Sequence, residues 1–333
     1  MAERSTITQT VQIGPEVTPG TSVAAGKRLQ SIGIKVGPKV DSKEFTPIGQ
    51  KYPTLAIVGK EWSESEISGA PVYTELPYIF SSLMSKATPA EVMDNSTGSG
   101  GYKWTFDSDP FGEDNPQTYT VEQGSSVRAH KITNGIISEF TMDWSREEVK
   151  IGGTMLGTAL NDGITMTADP TLLPQIPVRP THITAYLDTT AAGLGGTKLT
   201  RALKGKIKIS DRFSPLWVVD AAQASFVNTI ETAPKFEFTL MQMADAAAMA
   251  NLTAMRAGSP KFLRLEAVGP QIYSGGVVVK HKWTMDLCGQ IKDIDPFEDA
   301  DGVYAINWTF LTTTDSTWGK AWHVEVVTTT ETL

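Results

Sequence analysis

Alternation with a period of two recurs through this chain, and it limits the possible folds more than any other feature. From Lys235 to Leu240, Phe236, Phe238 and Leu240 fall on one side, and Lys235, Glu237 and Thr239 on the other. Phe140, Met142 and Trp144 stand opposite Glu139, Thr141 and Asp143, and Tyr304, Ile306, Trp308 and Phe310 share one side later on. Successive side chains of a strand point to opposite faces, so each run predicts a half-buried strand. Shorter or looser versions occur at Ile32, Ile34 and Val36, at Leu55 to Glu66, Tyr102 to Phe106, Tyr119 with Val121, His182 to Leu187, and Lys206 to Ser210. Others occupy Phe262 to Val268, the set Trp283, Met285 and Leu287, and the set Trp322, Val324 and Val326.

Two segments read as helix. Asp245 can cap residues 246–257, and Gly258, Ser259 and Pro260 end that segment. Thr74 can cap a second helix running to about Lys86, with Leu76, Ile79, Phe80 and Leu83 on one apolar stripe. Each helix lies in the order strand, long loop, strand, helix, strand, and the two copies start about 170 residues apart. This pattern predicts a mainly β fold: two tandem β-sandwich or barrel-like domains, each with one flanking α-helix.

The boundaries follow composition. Residues 1–27 are polar and rich in Thr, Gly and Pro, and read as an N-terminal arm whose removal would leave the domains folded. Residues 28–167 form the first domain and 181–333 the second. Between them, 168–180 carry Pro170, Pro174, Pro177 and Pro180, a density that favours an extended linker. Residues 41–53 read as a charged loop, and 87–101 as a polar one. The segment 104–116 reads as a solvated acidic loop, since Asp107, Asp109, Glu113 and Asp114 lack the calcium-loop register.

A chain that is 40% hydrophobic and 20% charged has the composition of a globular protein. Its net charge of −8 argues against a protein whose main task is gripping phosphate backbones. Cys288 is the only cysteine, which excludes an intrachain disulfide, and it reads as a small buried hydrophobe. The start lacks the apolar core of a secretory leader, and no apolar run is long enough to cross a bilayer.

Little in the sequence points to catalysis. His130, His182, His281 and His323 have no paired-ligand spacing and read as surface or interface histidines. No Gly-x-Ser-x-Gly elbow is present, and Gly193, Gly195 and Gly196 lack the ending of a phosphate-binding loop. Residues 293–301, with Asp293, Asp295, Glu298, Asp299 and Asp301, offer carboxylates to a divalent ion without a regular ligand register. Lys206 and Lys208, and Lys280 and Lys282, place like charges on one strand face, where each pair can meet carboxylates across an interface. These lysines, with Asp293 and Asp295, are the candidate assembly residues; no catalytic, cofactor-binding or metal residue is assigned, and no enzyme activity is expected.

The order of elements resembles the tail tube (major tail) proteins of long-tailed, non-contractile bacteriophages, of the kind with two fused tube domains. The residues that carry the likeness are Lys206 to Ser210, Lys235 to Gln242, the helix 246–257, and the late strands around Trp283 and Tyr304 to Thr313. Ile32 to Val36, Leu55 to Trp62, Tyr73 to Lys86 and Phe140 to Trp144 echo them in the first half. The resemblance implies a structural virion protein of the phage tail, assembled in the bacterial host cytoplasm. Three two-domain subunits would make a pseudo-sixfold ring, and rings would stack into a hollow tube. The implied partners are other copies of the chain, a tape-measure protein, a tail terminator, and genomic DNA that passes through the lumen without specific binding. No cofactor and no membrane anchor are implied. The loops 87–101 and 107–116 depart from the pattern, because the second half has no equivalent. Two other readings stand beside this one: another virion structural protein (decoration or baseplate), and a β-sandwich enzyme or carbohydrate-binding module.

Overall fold

The computed structural model describes residues 8–92, 100–220, 224–275 and 277–333, without the side chains of 273–277. The fold is mainly β, 55% strand and 9% helical, as the alternation predicts. The first half contains β1 (Thr10–Pro15), β2 (Lys27–Leu29), β3 (Ile32–Phe45), β4 (Leu55–Gly69), α1 (Leu76–Leu83), β5 (Ala90–Glu91) and β6 (Tyr102–Asp107). It continues with β7 (Tyr119–Gly124), β8 (Ala129–Ser145), β9 (Val149–Gly157), β10 (Asn161–Ile164) and β11 (Thr171–Leu172). The second half contains β12 (Ile183–Asp188), β13 (Ala202–Ser210), β14 (Phe213–Leu216), β15 (Asn228–Glu231), β16 (Lys235–Met243) and α2 (Ala246–Ala257). The long strands β17 (Pro260–Gly275) and β18 (Val277–Ile294) follow, then β19 (Glu298–Ala300), β20 (Val303–Thr312) and β21 (Trp322–Thr328).

One ladder of antiparallel pairings occurs twice. In the first half the order β3-β4-β9 continues onto the later part of β8. In the second, β13-β16-β20 continues onto the later part of β18, with β19 beside β20. The earlier part of β8 lies between β7 and β10, with β1 outside β7. The earlier part of β18 lies between β17 and β21, with β12 outside β17. Even the irregularities match: the β8–β9 register shifts between Ile137 and Glu139, and the β18–β20 register between Ile291 and Asp293.

The main apolar cluster runs through both halves, from Ile13 and Phe80 to Phe238, Trp283 and Val326, and a small one joins Ile136 and Leu156 to Phe213. The two helices differ sharply. All eight residues of α1 are buried, so the predicted stripe is part of a helix covered on every side. Phe80 packs against Phe106 and Phe140, and Ser82 Oγ accepts from Ile137 N. In α2 only Ala248 and Asn251 are buried. Asp245 caps α2 as predicted, accepting from Ala248 N at 2.8 Å, and Gly258 ends it at φ 60°. Thr74 does not cap α1. Its hydroxyl donates to Pro174 O, Glu75 takes the cap position, and the helix stops at Leu83, three residues short of Lys86. The buried Glu75 carboxylate instead accepts from Gln30, Ser31 and Ile32 N. Burial raises its pKa, and these three bonds pull against that rise.

Other expectations change. Within the expected arm 1–27, residues from Thr10 onward belong to the fold: β1 lies between β2 and β7, and Ile13 is in the core. Buried Glu16 accepts from Gly20 N, Thr118 Oγ1, Thr120 Oγ1 and Asn134 N, which ties the segment down. Residues 1–7 and 93–99 lie outside the described residues. The segment 41–53 is not a loop throughout, because β3 and β4 continue to Phe45 and from Leu55 as a long hairpin. The proline-rich segment is extended but docked: β11 pairs in parallel with β2, and Val178 N donates to Pro71 O. Tyr304 is 76% exposed, so the apolar face of its strand begins at Ile306. Cys288 is buried, as expected, and burial pushes its thiol up to about 11.

Candidate functional site

The most distinctive constellation is the seam where the halves meet. β13 lies antiparallel along β8, with Lys204 opposite Ser145, Lys206 opposite Asp143 and Ile209 opposite Phe140. On the solvent face, Lys206 Nζ is 3.3 Å from Asp143 Oδ1. On the core face, Gly205 meets the Trp144 ring so closely that a Cβ would lie 2.1 Å from it. Glycine is what lets the strand approach there.

Two further contacts lock the seam. Arg212, 2% exposed, follows β13 directly. Its Nε donates to Leu83 O at the end of α1, its Nη1 to Glu231 Oε1, both at 2.9 Å, and its Nη2 to Asp114. The excursion carrying β14 and β15 then folds onto the β3–β4 hairpin. Trp217 packs edge-on against Trp62 and Phe226, with centroids 5.8 and 6.0 Å apart, and Glu61 N donates to Ala224 O. On the far side, β6 of the first half pairs with β21 of the second. At the end of that pairing Asp107 accepts from His323 Nδ1 at 2.5 Å and Lys320 Nζ at 2.6 Å. These bonds, His323 first, hold its carboxyl down at about 2 against the opposing effect of burial. The expected solvated loop 104–116 is therefore corrected at Asp114, whose side chain is buried against Arg212, while Asp107 is exposed as expected but ion-paired. The segment without an equivalent in the second half staples the halves together.

The run of strands β3-β4-β9-β8-β13-β16-β20-β18 that contains the seam ends in two edges whose outer sides pair with no strand among the described residues. β3 pairs only with β4, and it carries Pro38, a residue confined to edges. At the other end, β17 pairs with β18 only up to Gln290, which leaves the stretch from Ile291 through β19 without a neighbour on that side. Beyond the sheet, the β3–β4 hairpin exposes Val40, Phe45, Ile48, Tyr52, Leu55 and Ile57. An exposed run of this kind marks an interaction surface rather than a solvated loop.

The predicted assembly residues fall in separate places. Lys206 is in the seam, and Lys208 stands opposite Thr141 and Glu237. Lys282 pairs with Glu266 at 2.8 Å on the β17–β18 ladder, and Lys280 is opposite Gln271. Asp293 lies on the open edge, opposite Thr309, and Asp295 Oδ2 accepts from Asn307 Nδ2 at 2.6 Å. Arg212 and Trp217 were not singled out from sequence, and Asp114 and Trp62 were read only as parts of an acidic loop and a strand. Their partners are distant in the chain, 98 residues away for Arg212 and Asp114, and no local pattern encodes such a pair.

His281 is corrected from a surface or interface residue to a buried one, 2% exposed, and burial lowers its pKa to about 4. It faces the Tyr73 ring, with centroids 5.6 Å apart, and the Tyr73 hydroxyl lies 3.2 Å from His182 Nδ1. No group of three or more His, Cys, Asp or Glu side chains among the described residues is placed to hold a metal ion. An open cleft of about 400 Å³ beside the start of α2 is lined by Asp188, Arg201 and Asp245. Its carboxylates are engaged: Asp188 accepts from Gly195 and Thr197 N, and Asp245 pairs with Arg201. No helix is long and apolar enough to cross a membrane among the described residues. No protein-family model matches the chain, and no curated protein sequence matches it.

Proposed function

We propose that the chain is a structural subunit that polymerises through its sheet edges, forming the tail tube of a long-tailed, non-contractile bacteriophage. The observation that carries this reading is the seam. The first strand of the second ladder, β13, extends the sheet of the first ladder at β8, and the corresponding strands at the two ends, β3 and β18–β19, are left open. A sheet with one joint made and the same joint left open is built for head-to-tail addition of copies. On this reading the halves are two tandem sandwich domains joined by the proline-rich segment 168–180, three subunits close a pseudo-sixfold ring, and rings stack.

The helices agree with this reading. α1 is buried beneath parts of the second half, including Arg212 on Leu83 O and Thr330 Oγ1 on Thr74 O. α2 follows β16 as α1 follows β4, but it lies on the surface, uncovered in a single copy. The solvent face of the shared sheet suits a lumen. Lys35 on β3, Glu66 on β4, Lys150 on β9, Glu139 and Asp143 on β8, Lys206 and Lys208 on β13 and Glu237 on β16 alternate in sign from strand to strand, so the charges cancel locally. Such a wall lets DNA pass without specific binding. A tape-measure protein inside the tube and a terminator at its end are the partners this reading requires, and the assembled tail is its location.

Electron microscopy of the purified full-length protein over a range of concentrations tests the reading. Hollow tubes of stacked rings with threefold averages are expected. A chain that stays single at every concentration and binds an oligosaccharide would replace it with a carbohydrate-binding module.

A further inference from the structure

The repeated ladder allows the missing joint to be worked out residue by residue. Glu139 opposes Thr154, Thr154 opposes Glu66, and Glu66 opposes Lys35. In the second half Asp293 opposes Thr309, Thr309 opposes Thr239, and Thr239 opposes Lys206. Both rows start at the residue just past the matched register shift. Lys35 therefore stands where Lys206 stands, and Asp293 where Glu139 stands. Four residues before Thr154 and Thr309 lie Lys150 and Ala305, which oppose Asp143 and Glu298. Glu298 therefore stands where Asp143 stands.

We propose that β3 of one copy pairs antiparallel with β18–β19 of a second copy, with Lys35 opposite Glu298 and Lys39 opposite Asp293. This joint rests on the assembly reading above and specifies its register and polarity. The template is the seam inside the chain, where Lys206 opposes Asp143 at 3.3 Å. Charge complementarity selects the partner: the open β3 edge presents Lys35 and Lys39, and the opposite edge presents Asp293, Glu298 and Asp299, all exposed. Opposed sheet edges of opposite charge favour this pairing over β3 with β3.

Backbone direction agrees. Ile32 N and Val36 N bond to the Glu75 and Gln123 side chains, on the side away from β4. The outward set is therefore Ile32, Ile34, Val36 and Pro38; the missing N–H of Pro38 costs β4 nothing, and the joint takes donors from Ile34 and Val36 and goes without one at Pro38. On docking, Gln123 yields Val36 N to the incoming strand. Tyr304 marks the uncovered site. It stands where Val149 stands in the first half, yet it is 76% exposed and Val149 only 5%. It already packs against exposed Phe297, with centroids 6.3 Å apart.

The test uses the full chain, with Lys35→Cys in one preparation and Glu298→Cys in another. The sites are exposed and Cys288 is buried, so neither change touches the core. After mixing, assembly and mild oxidation, a covalent dimer is expected only between the two variants, and the double variant should give a ladder of closed and open oligomers. Charge reversal supplies the second readout. Lys35→Glu or Glu298→Lys alone should raise the concentration for half-assembly on the order of tenfold, and the two variants mixed should recover at their shared joint. A wild-type chain that assembles, with variants that neither cross-link nor respond to reversal, overturns this register and leaves the assembly reading standing. A wild-type chain that never assembles overturns both.

Discussion

Replacing Arg212 by Met tests whether the seam is held by a buried ionic node. The guanidinium is 2% exposed and satisfies three acceptors on three segments: Leu83 O, Glu231 Oε1 and Asp114. Removing one member of a buried pair costs about 3–5 kcal/mol, and here it leaves Asp114 with Ser85 Oγ alone and Glu231 with Asp114 N and partial solvent. The orphaned Leu83 carbonyl alone accounts for about 1–3 kcal/mol, which overlaps that figure. An expected loss of about 3–5 kcal/mol follows for Arg212→Met. Adding Asp114→Asn and Glu231→Gln removes the abandoned charges and should recover more than half of the loss. Urea unfolding followed by tryptophan fluorescence reads the difference as a shift in midpoint at unchanged slope. A loss below about 1 kcal/mol would rank Arg212 with exposed ion pairs and refute the argument. A triple variant no more stable than the single would refute the assignment of the cost to stranded charge.

Four other outcomes are expected. His281 titrates near 4 in the fold against an ordinary 6.5, so the unfolded chain binds the proton first as pH falls. That contribution is complete above about pH 6.5 and is lost towards pH 4, about 3 kcal/mol in all, and His281→Phe should flatten the stability profile across this window. Asp107, held down at about 2, contributes stability that is present above its ordinary 3.8 and lost as pH falls through about 2. Asp107→Asn should remove that part of the acid transition, as read by circular dichroism from pH 4 to 2. Gly205→Val drives a side chain into the Trp144 ring and should cost about 1–3 kcal/mol or more by thermal unfolding. Deleting residues 1–27 removes β1, Ile13 and the Glu16 anchor and should prevent folding, read as loss of the native far-ultraviolet spectrum.

What the sequence determined by itself is local. A strand with one face in the core must alternate, so Phe236, Phe238 and Leu240, or Trp322, Val324 and Val326, announce both their conformation and their buried side. The cap and stop of α2 were equally legible, since Asp245 and Gly258 act on backbone groups within four residues. Of the candidate assembly residues, Lys206 lies at the seam on a strand whose alternation was readable, whereas Asp293, read as part of an acidic loop, belongs to the end of β18 at the open edge. Only the tertiary structure decided which strands meet. Any alternating strand offers the same backbone donors and acceptors, so β13 is placed on β8, and β6 on β21, by packing over the whole core. The same reason hid the covering of α1, the burial of Arg212, His281 and the Asp114 side chain, and the pairing of exposed Asp107 with His323 and Lys320. Local order is written in spacing along the chain, whereas burial and ionic partnership belong to residues that the chain brings together only once it has folded.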